Sequence, residues 1–206
     1  MKKLFTLLFL VCLFSTMSFA QMQAGLKAGV NISNLSGDDA GSPDSKTGFA
    51  FGGFFMYQFS PMFAIQPEAY YSMKGATDKM DFQGTTVDLT YTLDYIEIPV
   101  LFKFLIPIQG SGVRPAIFAG PFLGINTTAK VKAEYDGQSQ EEDIEDTKST
   151  EFGLQFGGGI GFPVGKGELG VDIRYILGLS TVDDSADEAD VKNNVINVNL
   201  YYGFSL

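Results

Sequence analysis

From Ala24 onward the chain alternates apolar and polar side chains at every second residue, in one segment after another. Such period-two patterning marks strands with one apolar face. The first segment sets Ala24, Leu26, Ala28, Val30 and Ile32 against Gly25, Lys27, Gly29, Asn31 and Ser33. The second carries Phe49, Phe51, Phe55, Tyr57 and Phe59 on one face. The third alternates Phe63, Ile65, Pro67, Ala69, Tyr71 and Met73 with Gln66, Glu68, Tyr70, Ser72 and Lys74. In the fourth, Ile96, Ile98, Val100, Phe102 and Phe104 face away from Tyr95, Glu97, Pro99, Leu101 and Lys103. The fifth has Val113, Ile117, Ala119, Leu123 and Ile125 on its apolar face and Arg114 on the other. The sixth sets Phe152, Leu154, Phe156, Ile160 and Phe162 against Glu151, Gly153, Gln155, Gly157, Gly159 and Gly161. The seventh opposes Leu169, Val171, Ile173, Tyr175, Leu177 and Leu179 to Glu168, Gly170, Asp172, Arg174, Gly178 and Ser180. The last opposes Ile196, Val198, Leu200, Tyr202, Phe204 and Leu206 to Asn197, Asn199, Tyr201, Gly203 and Ser205. The pattern predicts eight strands of about 10 to 14 residues, long enough to cross a bilayer when tilted.

Alternation alone does not say which face is inside. A soluble lipocalin-like barrel turns its apolar face inward, and a membrane barrel turns it to lipid. Volume decides between them. The apolar faces sum to roughly forty large side chains, whereas the interior of an eight-stranded barrel is only just filled by side chains. The opposite face is mostly Gly, Ser, Asn and Gln with a few charges, which suits a narrow lumen. The expected architecture is therefore all-β, an eight-stranded antiparallel up-and-down transmembrane barrel, with a soluble apolar-ligand carrier as the third reading.

The connections alternate in length, as they do in outer-membrane barrels. Ser60-Pro61-Met62, Ile106 to Gly112 and Pro163 to Gly167 are short or tight and are expected to face the periplasm. The segments near 34–47, 75–88, 128–150 and 181–194 are longer and are expected outside. They hold most of the acidic residues, including Glu141, Glu142, Asp143, Glu145 and Asp146, and Asp183, Asp184, Asp187, Glu188 and Asp190. Phe59, Phe63, Phe104 and Phe162 near the short turns, with Tyr71, Tyr91 and Phe152 toward the other end, read as interfacial belts.

The N-terminus fits this destination. Lys2 and Lys3 precede an apolar core from Leu4 to Phe14, too short to span a bilayer, and Ser18-Phe19-Ala20 supplies small residues for signal-peptidase cleavage. Residues 1–20 are expected to be a signal peptide and 21–206 the barrel domain. Cys12, the one cysteine, lies in that segment, and the bulky Val11 before it argues against lipoprotein processing. Without Lys2 and Lys3, the 14 basic residues fall to 12 against 24 acidic ones, a net charge of −12. That excludes a nucleic-acid partner, which needs cations to displace phosphate counterions.

Candidate chemistry is sparse. With no His in the chain and no Cys beyond Cys12, Ser-His-Asp, Cys-His and His- or Cys-based zinc machinery are excluded. Gly157-Gly158-Gly159-Ile160-Gly161 lacks the strand–loop–helix setting of a phosphate loop and reads as thinning of the lumen wall. Asp183-Asp184-Ser185-Ala186-Asp187-Glu188 lacks EF-hand spacing and reads as a solvated, mobile surface. No catalytic, cofactor or metal residue is expected, and no cofactor. Glu68, Glu97, Lys103, Arg114, Asp172 and Arg174 fall on the lumen face, where mutual pairing is expected over an ion path.

The stretches Gly25–Leu35, Leu93–Phe104, Phe118–Gly124, Phe152–Phe162 and Val171–Ser180 resemble the PorT-type outer-membrane β-barrel family, most specifically in Tyr95-Ile96-Glu97-Ile98-Pro99 and Asp172-Ile173-Arg174-Tyr175. The resemblance spans nearly all of the mature chain and implies an eight-stranded barrel in a Gram-negative outer membrane. It does not transfer the namesake's secretion role. The function expected is non-enzymatic, as an envelope component or through the acidic loops, with a small pore or transport role as the alternative. Expected partners are outer-membrane lipid, the barrel-assembly machinery and an unidentified loop ligand, for a monomeric barrel.

Two local expectations concern the fourth strand. Val87, Leu89, Tyr91, Leu93 and Tyr95 place apolar residues on odd positions, while Ile96 to Phe104 places them on even ones. A bulge near Asp94–Ile96 is expected to supply the change of phase. Above it, Thr86–Leu93 is expected to form a hairpin with Met80–Gln83, presenting Phe82, Leu89 and Tyr91 as a ridge near water.

Overall fold

The computed structural model describes residues 21–82, 85–108, 110–186 and 189–206; the expected signal segment, 1–20, lies outside the described residues. The strands are β1 (Gln21–Ser36), β2 (Asp44–Gln58), β3 (Phe63–Phe82), β4 (Thr85–Leu105), β5 (Arg114–Tyr135), β6 (Gln138–Asp143), β7 (Thr150–Val164), β8 (Gly167–Gly178) and β9 (Lys192–Ser205). Each of the eight patterned segments maps to one strand, with Phe59, Val113, Leu179, Ser180 and Leu206 just beyond the strand ends. The pairing runs β1–β2–β3–β4–β5–β7–β8–β9 and returns from β9 to β1, all antiparallel. The sheet thus closes on itself and leaves no edge within the barrel, which lipid demands because it offers no hydrogen bonds to a free strand edge.

Side-chain burial runs inside out relative to a soluble protein. Leu26, Phe49, Phe51, Phe102, Ile173 and Leu200 are exposed on the outer wall, while Lys27, Glu68, Lys74, Glu97 and Arg174 are buried in the lumen. The inward apolar face that a soluble carrier requires is not found. Gln21 pairs with Gln58 and Gln23 with Ser205, so both ends of the barrel sequence lie with the short turns at one end, the short-turn end. The longer connections gather at the other, the loop end.

A ninth strand, β6, corrects the reading of 128–150 as one loop. Strand β5 continues to Tyr135 and folds back through Asp136-Gly137, both at positive φ (47° and 75°), so that Lys130 pairs with Asp143. Asp-Gly is a strong two-residue hairpin signal, because both central residues tolerate left-handed conformations. Strands β3 and β4 likewise run on as a hairpin, from Thr77↔Thr90 to Phe82↔Thr85. The expected hairpin is present; Gln83 and the side chain of Phe82 lie outside the described residues. Leu89 and Tyr91 are half-buried rather than fully in water. Together β3, β4, β5 and β6 build a ridge above the lipid band, since 20 to 22 residues exceed the 9–11 that a tilted strand needs to cross.

The bulge expected in β4 is absent. Strand β4 keeps one register with β3 from Phe82↔Thr85 to Phe63↔Phe104, and Leu93, Tyr95 and Glu97 all face the lumen. The extra residue is in β5 instead: Asp94 pairs with Thr128 but Tyr95 with Asn126, leaving Thr127 unopposed, its hydroxyl donating to the Asp94 carbonyl at 3.1 Å. What changes at Tyr95 is the content of the lumen. Below this level lipid is outside and charge inside. Above it, Leu93 and Tyr95 pack inside the barrel against Val182, with Leu35, Ala129 and Val191 around them.

Because the outer wall meets lipid, a charge placed there is costly. Ile173→Arg, on the exposed face of β8, is expected to lower stability by about 2–4 kcal/mol in urea unfolding from vesicles. Lys79→Leu, on the ridge, is expected to change it by less than about 0.5 kcal/mol.

Candidate functional site

The lumen is narrow, so polar groups on opposite walls must meet. On β8, Arg174 and Asp172 are two residues apart on the inner face. The Arg174 Nε donates to Asp172 Oδ1 at 3.0 Å and its Nη2 to Asp172 Oδ2 at 2.9 Å, a planar fork matched to a carboxylate. Its Nη1 reaches across to Glu68 Oε2 on β3 at 2.9 Å and to Gln155 Oε1 on β7 at 3.2 Å. Glu68 also accepts from Lys27 on β1 and, at 2.7 Å, from Gln66 Nε2. One guanidinium thus ties three strands, and Glu68 brings in β1 as a fourth.

Gln155 carries the net toward the loop end. Its Nε2 donates to Tyr70 Oη at 2.6 Å and to Glu97 Oε2 at 2.8 Å, and Tyr70 donates to that same Glu97 oxygen. Lys74 Nζ then lies 2.6 Å from Glu97 Oε1 and 2.9 Å from Glu151 Oε2. A parallel row of amides runs from β8 to β3: Asn199 donates to Asp172, Asn197 to Asn31, and Asn31 to Ser72 and the Met73 carbonyl. Lys27, Lys74, Lys103, Arg114 and Arg174 face Glu68, Glu97, Glu151, Glu168 and Asp172, one cation for each anion.

Of the six lumen charges named from sequence, Glu68, Asp172 and Arg174 form the centre and Glu97 joins through Gln155. Lys103 joins through Gln66, to whose amide oxygen it donates at 3.0 Å. Arg114 stands apart at the short-turn mouth, paired with Glu168 at 3.2 Å with its own side chain 52 % exposed. The expected mutual pairing of the six thus takes the form of a central net and a separate mouth pair. Lys27, Lys74, Glu151 and Gln155 were missed as members, although each sits on the polar phase of its strand. The inner face of β7 makes room for them: a Cβ on Gly157 would stand 2.8 Å from the Arg174 Cα, and one on Gly159 2.9 Å from the Asp172 Cβ.

The loop end is closed over this net. Val182 is buried above Leu93 and Tyr95, and its backbone is pinned by Val182 N–H to the Val191 carbonyl at 2.8 Å and by Lys148 N–H to its own carbonyl at 2.9 Å. Asp184 N–H bonds to the Asp146 carbonyl and Asp190 N–H to Asp39 Oδ2, so three loops are laced together. Asp183 accepts from the Ser185 hydroxyl and from the Ala189 N–H at 2.8 Å. In the segment read as a mobile acidic surface, Asp183, Asp184 and Ser185 are held by these bonds as part of a cap; Asp187 and Glu188 lie outside the described residues. At the short-turn end a vestibule of about 400 Å³ opens beside Lys103, Arg114 and Tyr201, and only a void of about 10 Å³ lies beyond it, at Lys27 and Asp172. Among the described residues no group of three or more acidic side chains is placed to hold a metal ion.

Removing one partner of a buried pair leaves the other charge unpaired, at about 3–5 kcal/mol. Arg174→Ala, which strands Asp172 and leaves Glu68 with Lys27 alone, is expected to lose the heat-resistant compact form of the barrel on a gel, with unfolding in vesicles shifted by that amount. The cap has its own pH dependence. The Ser185 hydroxyl and the Ala189 N–H hold the Asp183 carboxyl below its usual range. A depressed carboxyl stabilises above its unfolded value and loses that contribution as pH falls through the folded one. The Ala189 amide and Val182 methyl resonances are therefore expected to hold at neutral pH and to shift below about pH 4. Asp183→Asn is expected to abolish that titration.

Residues 19–184 match the model of the outer membrane protein beta-barrel domain family. Among solved structures, Ail, the attachment invasion locus protein of Yersinia pestis, is 18 % identical with a TM-score of 0.46, over 88 % of this chain and 98 % of that one. Neisserial surface protein A is 14 % identical with a TM-score of 0.48, over 86 % and 95 %. The N-terminal β-barrel domain of Pseudomonas aeruginosa OprF is 10 % identical with a TM-score of 0.38, over 89 % and 100 %. No curated protein matches the sequence. The chain is an outer-membrane protein and belongs to the outer membrane protein beta-barrel domain family.

Proposed function

We propose that this barrel is a non-enzymatic, closed component of the outer membrane that acts through its loop end. The observation that carries this reading is the lumen. Arg174, Glu68, Gln155, Glu97 and Lys74 are buried and joined wall to wall, and Leu93, Tyr95 and Val182 seal the space above them. An ion path along this axis would have to break several charge-assisted bonds at once, at a cost far above thermal energy.

The working surface in this reading is the ridge of β3, β4, β5 and β6, set beside the laced cap. Met80 and Tyr135 are exposed there, beside the ion pairs Lys130–Glu141 and Lys132–Glu134. With the loop end outside and the short-turn end in the periplasm, the ridge faces the medium and meets a protein or ligand partner. The PorT-type resemblance of the Tyr95–Pro99 and Asp172–Tyr175 stretches supports a place among envelope barrels. Cleavage after Ala20, insertion by the barrel-assembly machinery, a monomeric state and the lack of a nucleic-acid partner complete the proposal. The acidic balance of the chain supports the last of these.

Two measurements test this. In planar bilayers the purified barrel is expected to give no discrete conductance steps, and regular steps from the intact protein would assign it a pore. Protease added to intact cells is expected to cut within Lys130–Lys148 and spare the 106–112 turn, whereas cutting at that turn alone would invert the topology.

A further inference from the structure

The vestibule at the short-turn end holds a cation without a carboxylate. Among the described residues, Lys27, Lys74, Arg114 and Arg174 each lie within 4.0 Å of an acidic side chain, and Lys103 does not. Among the described residues its one hydrogen bond goes to a neutral amide, Gln66 Oε1 at 3.0 Å. The rings of Phe118 and Tyr201 flank its ammonium group at 5.9 and 5.8 Å and offer no proton acceptor of full charge. An ammonium group has three donors, so two remain for a guest.

The surrounding space suits one kind of guest. The cavity of about 400 Å³ is bounded by Lys103, Met56, Leu105, Val113 and Ala116, with Gln58 among its polar groups. That volume falls in the range of small-molecule sites, and Met56, Leu105, Val113 and Ala116 give the cavity an apolar part beside Gln21, Gln23 and Gln58. Arg114 is neutralised by Glu168, whose other oxygen accepts from Tyr201 at 3.0 Å. The five cations and five anions of the lumen balance, but Lys74 faces both Glu97 and Glu151 toward the loop end, so the charge of Lys103 is left over at the short-turn mouth. This favours a monoanion and opposes a dianion beside Glu168. The void beyond, at Lys27 and Asp172, is about 10 Å³, so a guest stops at Lys103.

We propose that this vestibule binds a carboxylate carried on a short apolar stem, its head on Lys103 and its stem along Met56, Leu105 and Val113. The inference stands apart from the closed-barrel reading, because a conducting lumen and a closed one would both leave Lys103 at the mouth. Two sources share the chemistry: a medium-chain fatty acid, and the C-terminal carboxylate of a peptide ending in an apolar residue.

The methyl group of Met56 reports on the site in the intact barrel held in lipid nanodiscs. Met22 and Met62, on the outer wall at the same end, report on partition into lipid. Octanoate, N-acetyl-leucine, 1-octanol and inorganic phosphate serve as probes, with methyl carbon-13 shifts as the readout. A saturable shift of Met56 is expected with octanoate, N-acetyl-leucine or both, and which of them acts identifies the source. No saturable Met56 shift is expected with 1-octanol or phosphate. Lys103→Gln keeps a partner for Gln66 and removes the charge; it is expected to weaken binding at least about tenfold, while Lys103→Arg keeps it within about threefold. The proposal is overturned by equal response to 1-octanol, by unchanged affinity in Lys103→Gln, or by a Met56 methyl that neither carboxylate moves.

Discussion

The constraint on which the structure depends is the meeting of Arg174 with Glu68 and Asp172 in a lumen too narrow for bulk water. An eight-stranded barrel in lipid reverses the usual assignment of faces. Every large apolar side chain on the wall can be given to the bilayer, and the interior must then be filled by what remains. Polar groups deprived of water cost several kcal/mol unless they bond to one another. The forked guanidinium answers that need, because its donors engage a carboxylate on its own strand and a carboxylate and an amide on two others. Glycines on β7 follow from the same requirement, since the side chains of β8 need the space opposite.

That inner net explains the two ends of the barrel. Toward the loop end the charges stop at Lys74 and Glu151, and an apolar layer of Leu93, Tyr95 and Val182 takes over. Val182 can serve as a lid because hydrogen bonds among three loops fix its backbone. Toward the short-turn end the net loosens at Lys103, the mouth widens, and Arg114 reaches solvent. The result is a barrel rigid in the middle, capped on one side and receptive on the other. Function on the loop side is then a matter of surface, and function on the other a matter of one small cavity.

Much of this was legible in the sequence, because period two is a direct record of facing. The strands, the lipid face and the lumen residues Glu68, Glu97, Asp172 and Arg174 all followed from alternation and volume. The hairpin above Leu93 followed from the length of the alternating run. The β4 bulge does not exist, because a reversal of apolar phase does not require the strand itself to reverse. The strand never turned. The lumen itself changes from charged to apolar at Tyr95, and alternation cannot distinguish a flipped strand from a changed interior. Strand β6 was overlooked beside an acidic run, although Asp136-Gly137 signals a hairpin. The cap was hidden for another reason, since its order rests on bonds between loops far apart in sequence, such as Asp190 to Asp39. Pairing partners in the lumen are equally nonlocal: Lys74 and Glu151 are 77 residues apart.

The barrel therefore stands on a buried electrostatic net that fills and locks its interior, with the outer membrane as the solvent that makes the net necessary. A double-mutant cycle between Arg174→Met and Glu68→Gln, read by urea unfolding from vesicles, tests that claim most directly. A coupled net predicts that the double variant is less destabilised than the sum of the singles by at least about 1 kcal/mol, since the Arg174–Glu68 bond is then lost only once and the charges left behind, Lys27 and Asp172, are opposite in sign and line the same small void. Strict additivity of the two costs would contradict it.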